Sequence, residues 1–208
     1  MKGLFLCLDG LDGSGKSTQC RLLADWLRAQ GRTVTTCYEP GSTALGEQLR
    51  AIVLQHRHQI GLAAEALLFM ASRAQLVAEV IRPALAEGHT IVCDRFELST
   101  IVYQGHAGGL DPHQLRDVGR LATGGLEPDL TLVLDLPVDL ARARRNRPAD
   151  RLESRDEAYH QRVREGFLAE ARRRPDRIKV IDASAATDVV QTLIREEVTR
   201  VLATGPWA

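Results

Sequence analysis

The sequence predicts an α/β fold with three layers, in which a five-stranded parallel sheet is covered by helices on both faces. Short apolar runs alternate with stretches of helical periodicity along the chain, and this alternation is typical of βαβ units. A glycine-rich segment follows the first apolar run and precedes the first helical stretch. No repeat, linker or change of composition divides the sequence, so residues 1–208 are predicted to form one domain.

Five short runs are the candidate strands, and they are rich in the aliphatic and β-branched residues expected of strands buried on both faces. They are Gly3–Leu8, Thr33–Tyr38, Thr90–Cys93, Leu130–Leu134 and Ile178–Ile181. Helical spacing of apolar residues fills the intervals. The longest helical stretches cover Leu62–Glu87 and Asp188–Leu202.

The segment from Gly10 to Ser17 reads Gly-Leu-Asp-Gly-Ser-Gly-Lys-Ser and fits the pattern GxxxxGK[ST] between a strand and a helix. This context indicates a P-loop NTPase, because the loop and the helix N-terminus bind phosphate oxygens through backbone N–H groups. Lys16 would reach the β- and γ-phosphates, and Ser17 would ligate Mg²⁺. The predicted nucleotide-binding residues are Gly10, Leu11, Asp12, Gly13, Ser14, Gly15, Lys16, Ser17 and Thr18.

Composition excludes several other classes of protein. Lysine plus arginine and aspartate plus glutamate both number 27 in 208 residues, so the net charge is zero. This balance argues against a general nucleic-acid or membrane-surface binder. No apolar run reaches the ~18 residues of a membrane span, and no signal peptide precedes the first strand, so a cytoplasmic protein is expected. The four cysteines lack metal-ligand spacing and are interpreted as reduced core thiols: Cys7, Cys20, Cys37 and Cys93.

A second candidate site follows the third strand, where Asp94 and Arg95 come directly after Cys93. An acid at the end of a strand that neighbours the P-loop strand can hold magnesium or its water ligand. Arg95 would then lie where phosphoryl oxygens gather. The alternative is an exposed turn whose two charges form a surface ion pair.

Beyond the P-loop, seven short segments carry a recognisable pattern. They are Tyr38–Thr43, Leu67–Gln75, Asp94–Gly105, Pro128–Thr131, Asp150–Glu153, Arg162–Gly166 and Ile181–Ala183. No single segment is specific, but the ordered set, which runs along nearly the whole chain, resembles bacterial-type thymidylate kinases.

The resemblance implies an enzyme that transfers the γ-phosphoryl group of ATP to dTMP, with Mg²⁺, and that forms a homodimer. It implies that Phe69 stacks on thymine, that Arg73 hydrogen-bonds the base edge and that Tyr103 excludes a ribose 2′-hydroxyl. Without the resemblance, Phe69 would be interpreted as an ordinary core residue. The implied dTMP-binding residues are Asp12, Glu39, Arg50, Phe69, Arg73, Arg95, Ser99, Thr100, Tyr103 and Gln104.

The arginine-rich segment from Arg142 to Arg155 resembles the lid that closes over ATP in this family. The family takes a catalytic arginine from the P-loop or from the lid, and this P-loop has Gly13, so the resemblance assigns the arginine to the lid. One such arginine contributes ~10³–10⁵ in rate in related phosphoryl transfers. The candidate catalytic residues are Lys16, Arg95, Arg144, Arg147 and Arg151, and the candidate Mg²⁺ ligands are Ser17 and Asp94.

The chain also departs from the family pattern. Asp9 stands where glutamate is usual, Tyr38 where arginine is common, and Ser42, Ser72 and Gly108 replace other frequent residues. Activity is expected despite these departures, because the P-loop, Asp94, Arg95 and the acceptor residues are retained. Three alternatives stay open. They are a P-loop kinase with a different nucleotide or nucleoside acceptor, a non-catalytic nucleotide-binding module, and a GTP-dependent switch, although the guanine-reading motif of such switches is not found in the sequence.

Overall fold

The computed structural model describes residues 3–55, 59–145 and 148–205. Five parallel strands form one sheet. They are β1 Leu4–Gly10, β2 Val34–Tyr38, β3 Thr90–Asp94, β4 Leu130–Asp135 and β5 Ile178–Asp182. Their order in the sheet is β2-β3-β1-β4-β5. All five predicted strands are confirmed, and every strand except β2 extends beyond its predicted carboxyl end, where polar residues such as Asp94 and Asp135 continue the pairing.

Helices connect the strands and cover both faces of the sheet. The predicted stretch over Leu62–Glu87 is continuous but contains a π-helical turn at Val77–Ile81, and a second π-helical turn covers Ile101–His106. None of the helices within the described ranges is long and apolar enough to span a membrane. The helices are α1 Lys16–Ala29, α2 Ala44–Leu54, α3 Leu62–Leu76, α4 Arg82–Ala86, α5 Glu97–Thr100, α6 Pro112–Thr123, α7 Val138–Ala143, α8 Glu157–Arg173 and α9 Thr187–Thr204.

Strand β1 is the centre of the sheet and is buried along its whole length. Its side chains alternate between two apolar clusters, as the two-residue period of a strand requires. Leu4, Leu6 and Leu8 pack in the cluster that includes residues of α1 and α9, whereas Phe5 and Cys7 pack in the cluster that includes residues of α3 and α4. All four cysteines are free and buried, so the interpretation as core thiols is confirmed.

The sheet order places the ends of β1, β2 and β3 beside one another. Leu8 and Tyr38 both pair with Asp94, and the Arg95 N–H donates to the Leu8 carbonyl (2.9 Å). In a parallel sheet the carboxyl ends of adjacent strands form the usual ligand-binding edge. The P-loop after β1 and the Asp94-Arg95 pair after β3 therefore share one edge of the sheet.

Gly166 allows helix α8 to approach the π-helical turn Ile101–His106. A Cβ atom at this position would lie 2.8 Å from His106 Cβ and 3.1 Å from a methyl group of Val102. Both neighbours are side-chain atoms close to their own backbones, so they have little freedom to move. The glycine of the Arg162–Gly166 segment therefore has a packing role.

We predict that Gly166→Ala lowers the free energy of unfolding. Alanine gains about 1 kcal/mol in helix propensity, but overpacking a rigid contact costs about 1–3 kcal/mol, so a net loss of up to about 2 kcal/mol is expected. The matched control is Gly61→Ala, where a Cβ atom meets nothing within 4 Å and φ is −64°. Urea unfolding measures both variants, and a Gly166→Ala protein as stable as the wild type would contradict the packing role.

Candidate active site

The phosphate-binding loop connects β1 to α1 and leaves the N-terminus of that helix without a side-chain cap. Gly15 is the N-cap residue in the left-handed conformation, and the first turn of α1 carries no acidic residue. The free N–H groups and the helix dipole can therefore act on an anion. Lys16 is 6% exposed, and its Nζ donates to the carbonyls of Gly10 (3.2 Å) and Leu11 (2.8 Å).

Gly13 is required by a close contact between the loop and helix α7. Its φ is +91°, and a Cβ atom would lie 2.0 Å from the carbonyl oxygen of Ala141. This contact is with backbone, so no side-chain movement could relieve it. Because α7 leads into the predicted lid, the loop and the base of the lid are held together at this point.

Ser17 and Asp94 meet as the sequence predicts, with Ser17 Oγ donating to Asp94 Oδ2 at 2.5 Å. A hydroxyl and a carboxylate suit Mg²⁺, which prefers oxygen ligands and is usually held by one or two carboxylates together with substrate phosphates. Within the described ranges, no group of three or more His, Cys, Asp and Glu side chains could hold a metal ion. The two residues therefore fit a magnesium site that nucleotide phosphates complete.

Two cavities meet at this edge of the sheet. The larger, about 800 Å³, extends from the P-loop along α1, and the smaller, about 90 Å³, is lined by Phe69, Arg73 and other predicted acceptor residues. The residues common to both linings mark the junction. They are Asp12, Glu39, Arg50 and Arg95.

Arg95 is the central cation of the junction. Its guanidinium lies 2.6 Å from Asp12 Oδ1 and 3.4 Å from Asp9 Oδ1, and it donates to Ser99 Oγ at 2.9 Å. Its backbone has φ of +72°, a conformation that is uncommon for a residue with a side chain and that recurs at functional sites. The turn after β3 therefore aims this side chain at the P-loop.

The charges at the junction shift one another's pKa values. Burial favours the neutral form of Asp12, but Arg95 and Lys16 outweigh it and hold the pKa of Asp12 well below its usual range. Burial and the charge of Arg95 lower the pKa of Lys16, against the attraction of Asp12. Tyr103 Oη lies 3.2 Å from Asp12 Oδ2, so both side chains border the same region of the junction.

The small cavity contains the predicted base-recognition residues. Arg73 is 1% exposed, and its Nη2 donates to the Phe96 carbonyl (3.1 Å) and to Thr100 Oγ1 (3.0 Å). Its Nη1 has only Met70 Sδ, at 3.0 Å, as a hydrogen-bond partner among the described residues. Phe69, Ser99 and the buried Gln104 line the same cavity. The structure therefore brings the residues of the predicted base site together, and the part of the chain that it describes offers Arg73 Nη1 no oxygen partner.

Glu39 holds Arg73 in place, since its Oε2 lies 2.8 Å from Arg73 Nε. Burial raises the pKa of Glu39 to about 7, although the neighbouring Arg73 acts to lower it. Arg50 donates to the Pro40 carbonyl (2.7 Å), and its guanidinium lies 5.4 Å from the centre of the Tyr38 ring. Tyr38, which replaces the arginine common in the family, therefore contacts the predicted phosphate-binding Arg50.

The lid arginines are placed differently from one another. Arg144 donates to the carbonyls of Ala183 (2.7 Å) and Ser184 (3.0 Å) and lines the large cavity. Arg151 donates through Nε to the Val53 carbonyl (2.8 Å), and its Nη2 lies 2.6 Å from Glu65 Oε2. The third predicted catalytic arginine, Arg147, lies outside the described residues.

Arg145, an arginine of the predicted lid that is not among the candidate catalytic residues, lines the large cavity beside Gly13 and Arg144. Sequence reasoning missed Glu65, a fully buried carboxylate in contact with Gln104 and Arg151. A signal for Glu65 was available, because it is the only charged residue in the otherwise apolar run from Leu62 to Met70.

Comparisons with known proteins find one family in sequence and in structure. The family model described as thymidylate kinase matches residues 8–194. The chain is 47% identical over 201 residues to the thymidylate kinase of Symbiobacterium thermophilum, covering 96% of this chain and 94% of the relative. It is 46% identical to that of Deinococcus radiodurans over 93% of this chain and 95% of the relative. The crystal structure of thymidylate kinase from Ehrlichia chaffeensis matches with a TM-score of 0.80 at 29% identity, covering 95% and 100% of the two chains.

We predict that Glu39 makes folding stability depend on pH. Its pKa is about 7 in the folded chain against an ordinary value of 4.5, so the folded state binds the proton more tightly. The stabilisation is present below pH 4.5 and is lost as the pH rises through about 7, a change of about 1–3 kcal/mol. Urea unfolding of the wild type and Glu39→Gln at pH 4.5 and pH 8 measures it. Parallel pH dependence of the two proteins would contradict the assigned shift.

Proposed function

The chain belongs to the thymidylate kinase family, and from this premise we propose that it transfers the γ-phosphoryl group of ATP to the 5′-phosphate of dTMP, giving dTDP. The observation that carries the proposal is the junction of two cavities at Asp12, Glu39, Arg50 and Arg95. One cavity begins at a phosphate-binding loop, and the other is lined by an aromatic ring and a guanidinium suited to a base. Two nucleotides bound in this way would meet with their phosphates between the cationic side chains.

Positioning and electrostatic stabilisation account for most of the catalysis in phosphoryl transfer, so no strong general base is required. On the donor side, the N-terminus of α1 and Lys16 would bind the β- and γ-phosphates. On the acceptor side, Arg50 and Arg95 would bind the dTMP phosphate. Mg²⁺, held by Ser17 and Asp94 with the nucleotide phosphates, would neutralise the charge that develops on the transferred group.

The sugar and base of dTMP would lie along the small cavity. Asp12 would accept a hydrogen bond from the sugar 3′-hydroxyl, and Tyr103, which contacts Asp12, would exclude a 2′-hydroxyl. Phe69 would stack on thymine, while Arg73 Nη1 would donate to a base carbonyl. Ser99, Thr100 and Gln104 complete the proposed acceptor site, and Glu39 holds Arg73 in orientation.

The lid is proposed to supply further positive charge to the transition state. Arg144 is closest to this role among the described candidates, because it lines the large cavity. Arg151 would have to leave Glu65 to reach the phosphates, and Arg147 is proposed from the family resemblance alone. We also propose that residues 1–208 act as one domain and that the enzyme is cytoplasmic.

A homodimer is proposed from the family resemblance and from two exposed leucines on adjacent helices. Leu45 on α2 and Leu67 on α3 are 44% and 58% exposed, and the two helices pack against each other. We expect sedimentation velocity at micromolar concentration to give about twice the chain mass of 22.9 kDa. Leu67→Glu should shift the population towards monomer, because a buried unpaired charge opposes association. A wild-type monomer at this concentration would contradict the proposal.

We predict that Lys16→Ala lowers kcat by about 10²–10³-fold, the range found when one preorganised donor to a transition-state charge is removed. The fold should persist, which circular dichroism and urea unfolding would show. The matched control is Lys179→Ala, which removes a lysine of β5 and should leave kcat unchanged. Full turnover by Lys16→Ala would contradict the assignment of the loop.

We predict that Arg73→Ala raises KM for dTMP about 10–100-fold, since a charge-assisted hydrogen bond contributes about 1.5–3 kcal/mol, while KM for ATP changes less than threefold. Steady-state kinetics with each substrate varied in turn measures the difference. Arg82→Ala is the control, because Arg82 donates to the backbone carbonyls of Thr123 and Gly124. Equal changes in the KM values for dTMP and ATP would contradict the assignment of Arg73 to the acceptor site.

A further inference from the structure

Glu65 is a buried carboxylate that the proposed phosphoryl transfer does not use. It lies in the first turn of α3, and its side chain is 0% exposed. We propose that Glu65 is a positioning residue: it fixes the side-chain amide of Gln104 so that the amide carbonyl faces the acceptor base. The enzyme would thereby select a pyrimidine whose N3 carries a hydrogen, and the inference rests on the proposed function.

The contact between Glu65 and Gln104 is direct and buried. Gln104 Nε2 donates to Glu65 Oε1 at 2.8 Å, and Gln104 is 1% exposed. Gln104 lines the small cavity together with Phe69 and Arg73. Glu65 is therefore one side chain removed from the proposed base site and touches it only through the amide.

Two lid arginines contact the Glu65 carboxylate. Arg155 Nη2 lies 3.0 Å from Oε2 and 3.3 Å from Oε1, and Arg151 Nη2 lies 2.6 Å from Oε2 in an ion pair not aligned as a hydrogen bond. Both oxygens of Glu65 therefore face a guanidinium donor and act as acceptors. The end of the Gln104 amide that faces Glu65 must then be the NH₂ group. The chemistry of the two partners thus assigns the orientation of the Gln104 amide.

The fixed orientation has a consequence for substrate choice. With its NH₂ group held by Glu65, Gln104 would direct its carbonyl oxygen towards the acceptor base. The base atom that meets this oxygen must then donate a hydrogen bond. Thymine and uracil carry a hydrogen at N3, whereas cytosine has a lone pair there that would face the carbonyl. Sites built to hydrogen-bond one pattern discriminate strongly against a substrate that leaves buried polar groups unpaired.

The test compares dTMP with dCMP as acceptors for the wild type and Glu65→Gln. A glutamine at position 65 accepts or donates, so the Gln104 amide is free to turn over. We expect the ratio of kcat/KM for dTMP to kcat/KM for dCMP to fall at least 10-fold. Displacement of the lid arginines would change kcat/KM for dTMP and for dCMP by the same factor, so this effect would cancel in the ratio. An unchanged ratio would overturn the inference.

The matched control is Glu170→Gln, which removes another buried carboxylate, 3% exposed and in contact with Arg116, Arg173 and His106. It should lower stability and leave the dTMP/dCMP ratio unchanged. An equal fall in the ratio for Glu170→Gln would show that the effect is general destabilisation, and would overturn the assignment to Glu65.

A second variant keeps the inference testable if Glu65→Gln does not fold. Gln104→Met removes the amide and should reduce the ratio by a similar factor, whereas a retained ratio would overturn the inference. If both variants fold, Glu65→Gln should have no further effect on the ratio in the Gln104→Met background, because Glu65 acts through Gln104. Additive effects would contradict this. Absence of dTMP phosphorylation by the wild type would instead refute the proposed function.

Discussion

The ion pairs of Arg95 connect the elements on which the site depends. Its guanidinium reaches Asp9 at the end of β1, Asp12 in the phosphate-binding loop and Ser99 in α5. This contact is possible because β1 and β3 are neighbours in the sheet and end at the same edge. A left-handed backbone at Arg95 then turns the chain across the end of the sheet. The donor and acceptor cavities meet where this side chain lies, so a change in its placement would separate the two halves of the site.

Several buried glutamates pair with arginines, some of them on the acceptor side. Glu39 binds Arg73, Glu65 binds Arg151 and Arg155, and Glu170 binds Arg116 and Arg173. Each pair carries a desolvation cost, and the loss of one partner leaves a buried charge. Such pairs hold side chains in fixed geometry more than they add stability. Two of the three border the proposed base site, where fixed hydrogen-bond donors and acceptors are needed for discrimination.

Local sequence pattern was sufficient for the strands, the P-loop and the pairing of Ser17 with Asp94, because each depends on short spacings or on adjacent parallel strands. The roles of the lid arginines could not be predicted in the same way. Arg151 and Arg155 contact Glu65 across a long stretch of chain, and only the packing of the lid against α2 and α3 brings them together. In the sequence, Gly13 shows only that the P-loop lacks the family's catalytic arginine. The structure adds a steric reason for a glycine here, because a Cβ atom would collide with the carbonyl oxygen of Ala141. The role of Glu65 cannot be predicted from helical periodicity. Periodicity indicates which face of a helix is apolar, but it does not indicate which distant residues a buried charge contacts.

In the proposed function, the small cavity accepts a thymine nucleotide while the P-loop holds ATP. The most direct measurement is a coupled assay of ADP release with ATP and magnesium, in which dTMP, dUMP, AMP, GMP, CMP and thymidine are tested in parallel as acceptors. We expect a strong preference for dTMP and little turnover of thymidine, which lacks the phosphate that Arg50 and Arg95 would bind. Preferential phosphorylation of AMP, GMP, CMP or thymidine would contradict the assignment of the acceptor cavity.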